Sequence, residues 1–99
     1  MQYNKNVQLQ YKSFCIPRVN IDIKKDYIYN KINEFRLGKI VNIREIPLYN
    51  DCKYKRIIIN IYWDRTDDKI KEIEELLVQI GSIKLVYDMP WYWKLFNTI

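Results

Sequence analysis

Ninety-nine residues make one domain at most, and 48% apolar with 15% aromatic content supplies a core and argues against disorder. A formal charge of +5 and a pI near 9.2 suit an anionic partner (nucleic acid, an acidic protein or a membrane surface) and equally suit plain solubility. Histidine is missing, which excludes Ser–His and Cys–His catalysis, histidine metal sites and the usual proton shuttle.

The opening stretch, Met1–Lys12, is polar and aperiodic. It reads as a flexible arm, residues 1–12, without the apolar centre of a secretory signal. SFCIPRV, Ser13–Val19, reads as a short strand with Phe14 and Ile16 on one face and Ser13 and Cys15 on the other. Pro17 has no N–H to give a ladder, so the strand should end or bulge there. In DYIYNKINEFRLG, Ile28, Ile32 and Phe35 recur at helical spacing and Leu37 closes the stripe. Asp22 or Asp26 can cap the start, and Gly38 stands where the helix would stop.

KIVNIREIP, Lys39–Pro47, is a second strand in which Ile40 and Ile43 break strict alternation and imply a bulge. A polar loop, LYNDCK, precedes YKRIIINIYW, the strongest strand signal in the chain. There Ile57, Ile59 and Ile61 share one face and Arg56, Ile58 and Asn60 the other. The longest apolar run, Ile57–Ile61, is broken by Asn60 and falls far short of membrane-spanning length. The cysteines, Cys15 and Cys52, stand apart with no C-x-x-C spacing, which fits a reducing compartment better than a zinc site or disulfide framework.

DRTDDKIKEIEELLVQIG is the clearest helix. Thr66 or Asp67 serves as N-cap, acids crowd the start, and Ile70, Ile73, Leu76, Leu77 and Ile80 make the stripe that Gly81 ends. SIKLVY, Ser82–Tyr87, is a final strand. The order strand, helix, strand, strand, helix, strand predicts an α+β, ferredoxin-like βαββαβ sandwich. Its four-stranded antiparallel sheet would carry two helices on one face. The domain would span residues 13–87, with an aromatic tail, residues 88–99, packing on or beside the sheet.

The junction FRLGKIVNI and the spacing of all six elements resemble the RNA-recognition motif. CIPRV near the start and VYDMPWYWK near the end also resemble a group of short proteins of the large nucleocytoplasmic DNA viruses, a likeness spanning roughly Ser13–Lys94. The first resemblance implies an open sheet that binds single strands, stacking bases on aromatics of two central strands. The matching positions here are Cys15, Arg56 and Ile58, none of them aromatic, and Ile57 replaces the usual small glycine. Arg56, Asn60, Asn42, Arg44 and Lys84 or Val86 remain for that face, with charges for phosphate and amides or guanidinium for base edges. The second resemblance implies the host cytoplasm, a virus factory or the virion, and no secretion.

Two clusters qualify the site. Trp91, Tyr92 and Trp93 can fold over the open face and supply the missing rings, or a tryptophan can cover apolar sheet as core. Lys53, Lys55 and Arg56 around Tyr54 suit a phosphate-tracking surface, and equally a solvated loop. Asp64, Asp67 and Asp68 fit helix capping better than a magnesium site. Glu72, Glu74 and Glu75 should pair with Lys69 and Lys71 or meet a partner. Cys15 lacks an activating base, and no catalytic constellation, cofactor site or metal site is visible.

The expectation is a non-enzymatic module that binds single-stranded nucleic acid, RNA rather than DNA, with no membrane partner. The expected nucleic-acid-binding residues are Arg44, Lys53, Tyr54, Lys55, Arg56, Asn60, Lys84, Trp91, Tyr92 and Trp93. The alternative is a protein-interaction or homodimeric assembly module, a virion component included, using the same sheet and tail surface.

Overall fold

The computed structural model describes residues 8–98. Strand β1 runs Leu9–Asn20, helix α1 Lys25–Phe35, β2 Lys39–Pro47, β3 Tyr54–Asp64, helix α2 Asp68–Gln79, β4 Ser82–Asp88 and β5 Trp91–Asn97. The sheet order is β2-β3-β1-β5-β4, with every neighbouring pair antiparallel. The α+β class with two helices holds, but the sheet has five strands where four were expected. The stretch expected as a tail is β5, and it lies inside the sheet between β1 and β4.

The reason is legible in WYWKLFN. Trp93 and Leu95 alternate with Tyr92, Lys94 and Phe96, a period of two in residues that favour strands. Pro90 is the corner of a hairpin that turns at Met89–Pro90 through a cis peptide bond. β5 then returns along β4 from Asp88↔Trp91 to Ser82↔Phe96. Against β1 it pairs only at Phe14↔Asn97 and Cys15↔Phe96, supported by Thr98 N–H donating to the Ser13 carbonyl at 3.0 Å. Pro17, with no N–H to give, and the β1 bulge between Ile16 and Val19 part the two strands beyond that point.

One further boundary moved. Residues 9–12, read as part of an arm, extend β1 and pair with β3 from Leu9↔Asp64 to Lys12↔Ile61; residues 1–7 of that arm lie outside the described residues. The bulge expected in β2 falls between Ile40 and Asn42 and leaves Val41 out of register.

Alternation sorts the sheet into two faces. Phe14, Ile16, Val19, Ile43, Ile57, Ile59, Ile61, Trp63, Ile83, Leu85, Trp93 and Leu95 are buried in one cluster with Ile28 and Ile32 of α1 and Ile70, Ile73 and Leu77 of α2. Both helices therefore cover this face. Leu76 and Ile80, counted in the α2 stripe, are exposed, because only the narrower row of Ile70, Ile73 and Leu77 reaches the sheet. Trp63 closes one end of the core, edge-on to Phe14 at 5.6 Å, and its indole N–H donates to Gln10 Oε1 at 3.0 Å.

The helix ends obey local rules that differ in part from the expectation. α2 is capped by Asp67, whose carboxylate accepts from the Lys69 N–H at 2.8 Å. Asp64 closes β3 by accepting from the Thr66 hydroxyl at 2.6 Å and the Thr66 N–H at 2.9 Å. Those bonds, with one from the Gln8 N–H, hold its carboxyl below the usual range. α1 is capped by neither Asp22 nor Asp26: its N-cap is Lys24, with no side-chain bond, and Asp26 lies in the first turn. α1 stops at Arg36, in the left-handed region at φ 58°, and not at Gly38. Gly38 answers a different need, since a Cβ there would lie 2.2 Å from the Tyr62 carbonyl oxygen. No helix among the described residues is long and apolar enough to cross a membrane.

Candidate functional site

No described residue covers the face opposite the helices, and side chains from all five strands stand on it. At its centre a row of three polar groups crosses β1, β3 and β2. The Ser13 hydroxyl donates to Asn60 Oδ1 at 2.7 Å, and Asn60 Nδ2 donates to Asn42 Oδ1, also at 2.7 Å. Register makes the row possible, because Ser13 and Asn42 are the two cross-strand partners of Asn60. Asn60 is only 8% exposed, so the row fixes a buried amide in the middle of the sheet.

Cations surround the row. Arg44 flanks Ile58 on β2, Arg56 lies two residues along β3, and Lys84 and Lys94 face each other across β4 and β5. Lys39 stands opposite Tyr62 at the rim. None of these five forms an ion pair among the described residues. The carboxylates of the strands are elsewhere: Glu45 is on the helix side with Lys55, and Asp64 and Asp88 are at strand ends. A positive potential is therefore left unneutralised across the open face.

The face also carries rings, of which Tyr92 was expected and the others were not. Tyr11 and Tyr62 are register partners and meet edge-to-face at 5.3 Å. Phe96 stands opposite Cys15, the position where the resemblance calls for an aromatic. Tyr92 lies beneath the Lys84 ammonium at 4.7 Å. All four are partly exposed.

Among the expected site residues, Arg44, Arg56, Asn60, Lys84 and Tyr92 come together on this face, and Tyr54 joins it at the end of β3. The Tyr54 ring is covered by Arg18 at 4.4 Å, and Arg18 pairs with Asp51 at 2.6 Å, so Tyr54 presents little free ring. Lys53 lies in the turn before β3, exposed beside the face.

Three do not belong. Lys55 alternates to the helix side and is 6% exposed; its ammonium donates to Glu45 Oε1 at 2.7 Å and to the Ile23 carbonyl at 2.5 Å. Trp93 is core, stacked on Tyr87 at 4.1 Å and edge-on to Tyr27 at 6.4 Å. Trp91 is exposed at the hairpin, and alternation along β5 sets it on the side of Trp93.

Tyr11, Tyr62, Phe96, Lys39 and Lys94 were missed. Tyr62 was readable, because the alternation that groups Arg56, Ile58 and Asn60 includes it. Phe96 and Lys94 follow from Tyr92 once β5 is seen as a strand. Tyr11 sat in a stretch that lacks periodicity of its own and becomes a strand only by pairing with β3.

Cys15 lies half-buried in the middle of the face. Burial pushes its thiol up, against the opposing pull of Arg56. Cys52 is exposed in the β2–β3 turn. Iodoacetamide at pH 8 should therefore alkylate Cys52 well before Cys15, followed by mass spectrometry; equal rates would contradict this packing.

No family model matches the chain, and neither does any curated protein or solved structure.

Proposed function

We propose that this chain is a non-enzymatic module that binds single-stranded nucleic acid, RNA before DNA, on the open face of its sheet. The observation that carries the reading is the unneutralised set Arg44, Arg56, Lys84 and Lys94, interleaved with the partly exposed rings of Tyr11, Tyr62, Tyr92 and Phe96. Cations hold phosphates, and rings stack bases that a single strand leaves free. A duplex offers no unstacked base to a face of this kind.

The RNA-recognition-like, ferredoxin-like reading of the fold is kept with one change. β5 takes the place of the expected fourth strand beside β1, and β4 is an added outer strand. The ring that the resemblance assigns to position 15 is then supplied across the ladder by Phe96.

Fluorescence anisotropy with a labelled single-stranded oligonucleotide tests the reading. Affinity should fall with salt at a log–log slope of roughly −3, the value expected for about four phosphate contacts on a single strand. Tyr92→Ala and Phe96→Ala should each weaken binding by about 1–3 kcal/mol, the usual worth of a base on a ring. Lys55→Met should leave affinity unchanged, because that ammonium faces the helices. Absence of association with any single strand at low salt would remove the proposal.

A second reading, a self-assembly or protein-interaction module, has its own observation. Leu76 of α2 and its C-cap Ile80 are exposed beside the outer edge of β4, where an apolar hollow of about 330 Å³ lies against Phe35 and Ile83. Sedimentation velocity over a concentration series would favour it by showing a dimer that Ile80→Glu dissolves.

A further inference from the structure

We propose that the centre of the open face selects guanine, with its paired acceptors, over adenine. The inference rests on the nucleic-acid reading above and adds to it a base preference, set by the direction of the hydrogen bonds in the Ser13–Asn60–Asn42 row.

The row has a sense. Ser13 gives its proton to Asn60 Oδ1, and Asn60 gives an N–H to Asn42 Oδ1. Each amide oxygen thus already accepts one hydrogen bond from a neighbour. Asn42, exposed at the end of the row, keeps both N–H bonds of its Nδ2 for a ligand. Thr98 likewise donates its hydroxyl proton to the Ser13 carbonyl at 3.1 Å. The Ser13 and Thr98 hydroxyls therefore offer only neutral lone pairs.

Two residues along β2 from Asn42, Arg44 adds a guanidinium with no ion-pair partner among the described residues. A depression of about 470 Å³, lined by Tyr11, Ser13, Arg44, Ile58, Asn60 and Thr98, lies over the row and is roomy enough for a base. Ile58 forms an apolar floor and Tyr11 a wall.

The balance of free groups is uneven. Donors predominate, and the strongest are charged. A hydrogen bond from an ionised donor is about twice as strong as a neutral one, and a guanidinium fork fits two acceptors side by side. Guanine presents O6 and N7 together, the pair that takes such a fork. Adenine sets an amino donor beside N7. It would place an N–H against the N–H groups of Asn42 or Arg44 and leave donors unpaired, which is the costly outcome in a partly buried site.

The decisive measurement compares (GUU)3 with (AUU)3 RNA by anisotropy at one salt concentration. Equal length holds the phosphate contribution constant, so the ratio reports base edges. The wild type should bind (GUU)3 on the order of tenfold tighter, within the range that one bidentate contact discriminates. Arg44→Lys keeps the charge and removes the fork. It should bring the ratio close to one while the salt slope stays as it was, and Asn42→Ala should narrow the ratio as well. Equal affinities in the wild type, or a preference for (AUU)3, would overturn the base preference and leave the nucleic-acid reading standing. Binding of neither oligonucleotide would overturn both. A tenfold preference unchanged by Arg44→Lys and by Asn42→Ala would show that the selecting groups lie elsewhere and would sink the assignment.

Discussion

Trp93→Ala is expected to remove about 3–5 kcal/mol of stability, the cost of deleting a buried indole. A domain of this size has roughly 5–15 kcal/mol in total, so the variant should be close to unfolding at physiological temperature. The effect follows from position. Trp93 is 4% exposed, stacked on Tyr87 from the neighbouring strand and met edge-on by Tyr27 of α1. It fastens the β4–β5 hairpin to the helical layer where β5 has parted from β1, so few backbone bonds share that task. Chemical denaturation followed by tryptophan fluorescence or circular dichroism measures it. The neighbouring substitution Tyr92→Ala should cost far less, because that ring lies on the open face. The opposite ranking would reverse the assignment of faces along β5, and the proposed site would go with it.

The second large effect is expected at Gly38. A Cβ there would lie 2.2 Å from the Tyr62 carbonyl oxygen, 2.9 Å from its carbon and 3.0 Å from the Trp63 Cα. All three are backbone atoms of β3, so no flexible side chain can yield. Gly38→Ala must push the start of β2 away from β3, with an expected loss of about 1–3 kcal/mol or more. Gly81→Ala is the control. A Cβ there meets open space, and only its φ of +91° resists, at about 1 kcal/mol. Denaturation midpoints of the two variants should differ in that order. Gly38→Ala should also weaken binding of single strands, since Asn42 and Arg44 ride on the displaced strand.

Most of the sheet was legible because its strands carry their own signal. The face assignment of Ile57, Ile59 and Ile61 against Arg56, Ile58 and Asn60 follows from a period of two, and the structure keeps it. The bulges at Pro17 and after Ile40 were readable for equally local reasons, a missing N–H and a broken alternation. Lys94 and Phe96 were hidden because WYWKLFN was read as a tail and not as a strand. A proline at a hairpin corner and one that ends a domain look alike until a pairing partner is known. Lys55 was misplaced by clustering: adjacent basic residues in a strand point to opposite sides, so Lys53, Lys55 and Arg56 never formed one surface.

The sequence by itself determined six of the seven elements, the apolar faces of β1 and β3, the α2 cap and the basic excess, because each depends on neighbours a few residues away. Only the tertiary structure decided that the last aromatic stretch enters the sheet between β1 and β4, that Trp93 faces the helices while Tyr92 faces out, and that Ser13, Asn60 and Asn42 line up. These depend on strand order and register, which are set by contacts between residues far apart in the chain. A shift of one residue in any pairing would carry every side chain to the other face.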